Sequence, residues 1–168
     1  MTQSELLIDA FERLRDAVYP AVNGLSLDQL AFRPDDASNS IGWLTWHLTR
    51  VQDRGVAALS GTEPVWTARG WFDRSGLALE PTDAGYGHDA DTVATVLADA
   101  SFLLDYFEDV HQQTVAWIRS LDAAELSRVV DDKGLPPVTV ESSLLGVLVD
   151  DLQHVGQAAY VRGLVYRR

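Results

Sequence analysis

The chain contains no cysteine, which excludes disulfides, thiolate metal sites and a cysteine nucleophile. Any thiol chemistry must use a thiol from outside. A single lysine, Lys133, stands against twelve arginines, and the net charge is −12. The arginines are scattered among acids, so no basic patch faces phosphate, and nucleic acid is not expected as a partner. The basic run Arg167-Arg168 is too short to change this. No apolar run approaches the roughly 20 residues of a membrane span. The start, Met1-Thr2-Gln3-Ser4-Glu5, lacks the basic and apolar regions of a signal peptide, so a cytoplasmic location is expected. No Gly-rich phosphate loop opens a helix, and no Gly-x-Ser-x-Gly elbow appears.

What is present is a globular composition of 168 residues, 46% hydrophobic and 23% charged. That suffices for one cored domain spanning residues 1–168. The arginine, alanine and aspartate bias matches a GC-rich bacterial genome.

Four periodic segments predict an all-α four-helix bundle. Helix one runs from Ser4, as N-cap, to Val22, with Leu7, Phe11, Leu14 and Val18 on one face and Asn23-Gly24 as its stop. Helix two spans Ser40 to Ser60. Helix three spans Ala90 to Ser120, with Val93, Leu97, Ala100, Leu104, Phe107, His111, Thr114 and Ile118 along one side. Helix four spans Ser142 to Leu164, with Glu141 or Ser142 near its cap. Val138 to Val140 reads as a short extended piece. Between helices two and three, Gly61 to Asp89 lacks periodicity yet holds Trp66, Trp71, Phe72, Tyr86 and His88. So long a loop is a lid, a binding loop or a packed connection, and its aromatics argue for docking. It either covers one end of the bundle or walls a pocket.

His47 lines up with Trp43, Leu44 and Val51 and so points into the bundle. Asp150 and His154 share a face of helix four, one turn apart. That helix is apolar around most of its circumference, so it is expected to be surrounded by protein, and a carboxylate there needs a cation, a proton or a partner. Two readings follow: an Asp150–His154 ion pair, or a metal that also recruits His47. Two imidazoles and a carboxylate would leave a divalent ion an open position. Asp151, one residue on, is expected to be the solvated acid. His111 is expected in the core or capping. His88 reads as a surface histidine or a donor to a substrate, Arg50 and Arg54 as binding a substrate carboxylate or pairing with Asp53 or other acids, and Gln157 as supporting the ligands or simply following the motif.

His47 within Trp-His-Leu-Thr-Arg-Val-Gln-Asp, and His154-Val155-Gly156-Gln157, resemble the two signature segments of the DinB-like superfamily. Phe32-Arg33-Pro34, Gly85-Tyr86-Gly87-His88 and Gln157-Ala158-Ala159-Tyr160-Val161-Arg162-Gly163 are similar to an actinobacterial branch. The resemblance covers nearly the whole chain in order. It implies a four-helix-bundle metalloenzyme of the mycothiol- or bacillithiol-dependent transferase type, often dimeric. The metal would be held by His47, Asp150 and His154, where better-studied members use three histidines and Asp150 replaces one. The carboxylate hardens the site, and zinc, nickel, manganese and iron(II) all suit it. The implied reaction is transfer or isomerisation of a small electrophilic substrate with mycothiol or a related low-molecular-weight thiol, with Trp43, Arg50, Tyr86, His88 and Gln157 near the reactants. The same donors suit an iron(II) or zinc enzyme that activates oxygen or water. A non-catalytic, stress-related binding bundle is the third expectation.

Overall fold

The structure, a computed structural model, describes residues 1–167; Arg168 lies outside the described residues. Nine helices and a two-stranded ribbon follow in order among these residues: α1 Gln3–Val22, α2 Leu27–Ala31, α3 Ile41–Ser60, α4 Val65–Ala68, α5 Trp71–Ser75, α6 Ala90–Thr95, α7 Ala100–Ser120, α8 Ala123–Leu126, β1 Val129–Asp131, β2 Val138–Thr139 and α9 Val140–Val165. The four long helices pack in a ring, α1 on α7, α7 on α3, α3 on α9 and α9 on α1. Phe11 and Leu14 of α1, Leu44 and Leu48 of α3, Leu103 and Ile118 of α7, and Leu144 and Leu148 of α9 fill its middle. Each such side chain contributes roughly 1.5–3 kcal/mol of burial free energy.

Several boundaries differ from the sequence reading. The N-cap of α1 is Thr2, paired with Glu5 in a capping box, while Ser4 donates to the Leu121 carbonyl at 3.0 Å. The connection before α3 carries α2, capped by Ser26. The expected continuous third helix is broken between α6 and α7. Asp99 accepts from the Phe102 N–H at 2.8 Å and starts a new helix there, so Leu97 is left exposed. A good N-cap thus interrupts an apolar periodicity that runs through it. Helix α9 begins two residues early, with Thr139 as cap in a box with Ser142. Just before it, β2 pairs antiparallel with β1, Val129 opposite Thr139.

Helix α9 is not wrapped on all sides as its composition suggested: Leu145, Val149 and Leu152 are exposed. Its inner face lies close against α3. A Cβ added at Gly55 would come 2.7 Å from Val147 Cγ2, so glycine at that position lets the helices approach. No helix among the described residues is long and apolar enough to cross a membrane.

The 61–89 segment is two structures in one. Its first half forms α4 and α5 and docks on α7, with the Trp66 ring 4.9 Å from that of Tyr106 and Trp71 donating to Asp109 at 2.8 Å. Its second half, residues 81–88, runs alongside the start of α3.

Candidate metal centre

One ligand atom each from His47, Asp150 and His154 lie within 4.8 Å of one another. Helix α3 brings His47 in buried, and Trp43, one turn before, stacks on its ring at 4.6 Å between centroids and 12° between planes. The His154 ring stands edge-on to His47 at 4.7 Å.

The hydrogen bonds of the two imidazoles settle which nitrogens face the centre. His47 Nδ1 meets the Ala84 carbonyl. A carbonyl only accepts, so Nδ1 carries the proton and Nε2 keeps its lone pair. His154 Nδ1 lies 3.0 Å from Gln157 Oε1 and donates to it in the same way, which again frees Nε2. Such carbonyl partners behind the ring are how metal-ligating histidines are oriented. Asp150 completes the set. Its Oδ2 is buried, has no hydrogen-bond partner among the described residues, and lies 3.6 Å from His154 Nε2. That distance is too long for a hydrogen bond but within ion-pair range when His154 is protonated, so the expected Asp150–His154 pairing stands beside the metal reading. Burial pushes the His47 pKa below its ordinary 6.5, against the pull of its hydrogen bond to Ala84. His47 is therefore neutral at pH 7, as a ligand must be. Two free imidazole nitrogens and an orphaned carboxylate oxygen fit a divalent ion.

The loop behind His47 is built to hold it. Gly85 has φ +94°, and a Cβ there would come 2.8 Å from His47 Nδ1 and 2.9 Å from Trp43, so only glycine fits. Asp83 Oδ1 accepts the Gly85 N–H at 2.7 Å. Its Oδ2 lies 2.9 Å from His88 Nε2. Burial pushes Asp83 up, but these two donors outweigh it and leave the carboxyl below its ordinary value. His88 Nδ1 in turn accepts the Trp43 indole N–H at 3.1 Å.

This changes the reading of two residues. His88, expected to donate to a substrate, has both nitrogens engaged by Asp83 and Trp43. Arg50, expected at a substrate carboxylate, is buried. Its guanidinium donates to the Pro81 carbonyl at 3.1 Å, the Asp83 carbonyl at 3.0 Å, and Asp53 and Tyr106 at 3.3 Å each. Arg50 therefore clamps the loop that carries Ala84 to His47. His111 is a core residue: its Nε2 lies 3.3 Å from Glu12, and burial lowers its pKa despite that carboxylate.

Tyr86 stands edge-on to His47 at 5.3 Å. Tyr86 is exposed; partial desolvation, then the charge of Asp150, raises its pKa, so it stays protonated at neutral pH. Asp83 and Ala84 went unnoticed in the sequence, and Gly85 entered only as part of the Gly85-Tyr86-Gly87-His88 resemblance. The Ala84 contribution is a backbone carbonyl and has no signature; the glycines on both sides of Tyr86 were the available hint of a tight loop.

Across residues 10–158 the sequence matches the model of the DinB superfamily. The chain belongs to the DinB superfamily. A crystal structure of a conserved protein of a locus from Enterococcus faecalis superposes on it with a TM-score of 0.91. The two share 26% identity, over 100% of this chain and 99% of the other. A comparison with curated proteins gives no significant match. The DinB bundle, with its His/Asp/His grouping, can thus hold a metal ion.

The neighbouring acid overturns one expectation. Asp151, taken as the solvated carboxylate, is fully buried, and neither of its oxygens has a hydrogen-bond partner among the described residues. The Asp150 side chain is the one that is 36% exposed. Burial, and then the charge on Asp150, push the Asp151 pKa well above its ordinary 3.8. In metal-free protein the folded state holds a proton that the unfolded chain releases above that value. The cost of Asp151 therefore grows as pH rises, by about 1.4 kcal/mol per pH unit until the folded pKa is reached. Asp151→Asn in metal-free protein is expected to match the wild type near pH 4 and to outstrip it increasingly toward pH 7 in urea unfolding. A stability difference independent of pH contradicts this.

Proposed function

We propose that this DinB protein is a metal-dependent transferase or isomerase that joins a low-molecular-weight thiol, such as mycothiol, to a small electrophilic substrate. The observation that carries the metal is the convergence of one ligand atom each from His47, Asp150 and His154 within 4.8 Å, with Asp150 Oδ2 lacking a hydrogen-bond partner among the described residues. A divalent ion held by these donors would supply Lewis acidity that deprotonates a coordinated thiol at neutral pH. Zinc, nickel, iron and manganese are all compatible with two imidazoles and a carboxylate.

The chain's own residues set the rest. Trp43 stacked on His47 closes one side of the centre to water, and the Ala84 carbonyl and Gln157 fix the two rings. The protonated Tyr86 hydroxyl is available to donate to a substrate oxygen. Two clefts are bordered by residues that touch the ligands, one by Gln157, the partner of His154, and one by Tyr86, edge-on to His47. One, of about 750 Å³, is lined by Ser38, Asn39, Gln153, Gln157 and Tyr160 among others. It meets the centre through Gln157, and its amides and hydroxyls suit a polar thiol conjugate. The other lies beyond Tyr86 and is left for the electrophile.

The family resemblance supplies the thiol, and the test addresses it directly. Mycothiol added to cobalt(II)-loaded protein is expected to give a thiolate-to-cobalt charge-transfer absorption that metal-free protein does not show. No such absorption at saturating thiol would remove the thiol reading. The donor set itself favours a second reading, since two histidines and one carboxylate also suit iron(II) oxygen chemistry or water activation. Iron in the isolated protein with oxygen-dependent turnover would select it.

A further inference from the structure

His47, Val51 and Arg54 recur on one stripe of α3, so Arg54 lies two turns from the metal ligand, roughly 10 Å along the axis. Arg54 is exposed and, unlike Arg50 one turn earlier, has no ion pair or hydrogen bond among the described residues. It borders a cleft of about 570 Å³ whose walls include Val51, Ala58, Pro64, Val147 and Tyr86, the last edge-on to His47. An unpaired guanidinium at the rim of an apolar cleft is unusual in a chain of net charge −12.

We infer that this cleft binds a small monocarboxylate with an apolar body, anchored by Arg54. The chemistry of the lining selects that class. A guanidinium fork matches a carboxylate with two parallel hydrogen bonds. One arginine balances one negative charge, while the nearby carboxylate of Asp150, felt at Tyr86, disfavours a dianion such as a phosphate ester. The apolar walls between Arg54 and Tyr86 call for a hydrocarbon stretch. The separation of Arg54 from His47 means that the anchored carboxylate is not the group that meets the centre. Taken with the proposed function, on which this last step rests, the electrophilic carbon lies several bonds from the carboxylate and beside Tyr86.

The test uses hexanoate and its neutral counterpart hexanamide, titrated into metal-free protein and followed by amide NMR shifts. Leaving the metal out separates this inference from the metal reading. Failure of the metal reading would appear as no metal uptake with the hexanoate result intact, and failure of this inference would leave metal uptake unchanged. Hexanoate is expected to bind about tenfold or more tightly than hexanamide, as charge-assisted hydrogen bonds do, with shifts at Val51, Tyr86 and Val147. Arg54→Gln is expected to abolish the preference, and Arg54→Lys to retain part of it. Arg54 is exposed, so both variants are expected to fold. Equal affinity for the two probes, an unchanged preference in Arg54→Gln, or shifts confined to another surface would each overturn the assignment.

Discussion

Asp53→Ala is expected to cost about 3–5 kcal/mol of folding stability, the range for breaking a buried ion pair by removing one partner. Asp53 is buried in the middle of α3 and gathers four donors. The Val65 N–H reaches Oδ1 at 2.7 Å, and the Trp66 N–H reaches Oδ2 at 2.9 Å. The Tyr106 hydroxyl donates to Oδ2 at 2.8 Å, and Arg50 stands 3.3 Å from it. One carboxylate thus ties α3 to the start of α4 and to α7. Burial pushes its pKa up, against the pull of these donors. Alanine leaves the Arg50 cation, whose side chain is 1% exposed, without its counter-charge, and strands two backbone N–H groups away from water. Against a total of roughly 5–15 kcal/mol for a domain, that loss brings the chain near the limit of folding. Urea unfolding measures it, and a loss below about 1 kcal/mol would show that the network is not a structural centre.

His154→Ala and His47→Ala are expected to abolish stoichiometric metal binding. Changing groups behind a ligand typically weakens affinity roughly 10–100-fold, and removal of a ligand from a three-donor set exceeds that. The same variants separate metal from fold. Ion binding to the native wild type at a hundred times its Kd stabilises by about 2.7 kcal/mol, and a chelator reverses it. In His154→Ala neither the gain nor the chelator effect is expected, although His154 is a partly exposed residue whose loss leaves the core intact. Full metal occupancy in this variant would remove His154 from the ligand set.

The bundle was legible because burial at three- and four-residue spacing is written into α1, α3, α7 and α9. The His47, Asp150 and His154 triad was legible from spacing and resemblance together. Other parts were hidden for specific reasons. Helix α9 is apolar nearly all round, so its pattern does not say which side faces inward, and Asp150 and Asp151 exchanged burial. Asp99 caps a helix in the middle of a continuing apolar period. The Arg50–Asp53 pair was legible at its three-residue spacing, but Arg50 was also read as open to a ligand because its other partners come from residues 81, 83 and 106, which only the tertiary fold assembles. The Ala84 carbonyl that orients His47 belongs to the backbone, where residue type carries no signal.

The most direct test of the metal centre is X-ray absorption with metal analysis on the wild-type chain loaded with zinc. About one ion per chain is expected, bound through two imidazole nitrogens and a carboxylate oxygen at about 2.0–2.2 Å. A chain that takes up no stoichiometric ion, or an ion whose surroundings contain no imidazole, would contradict the account.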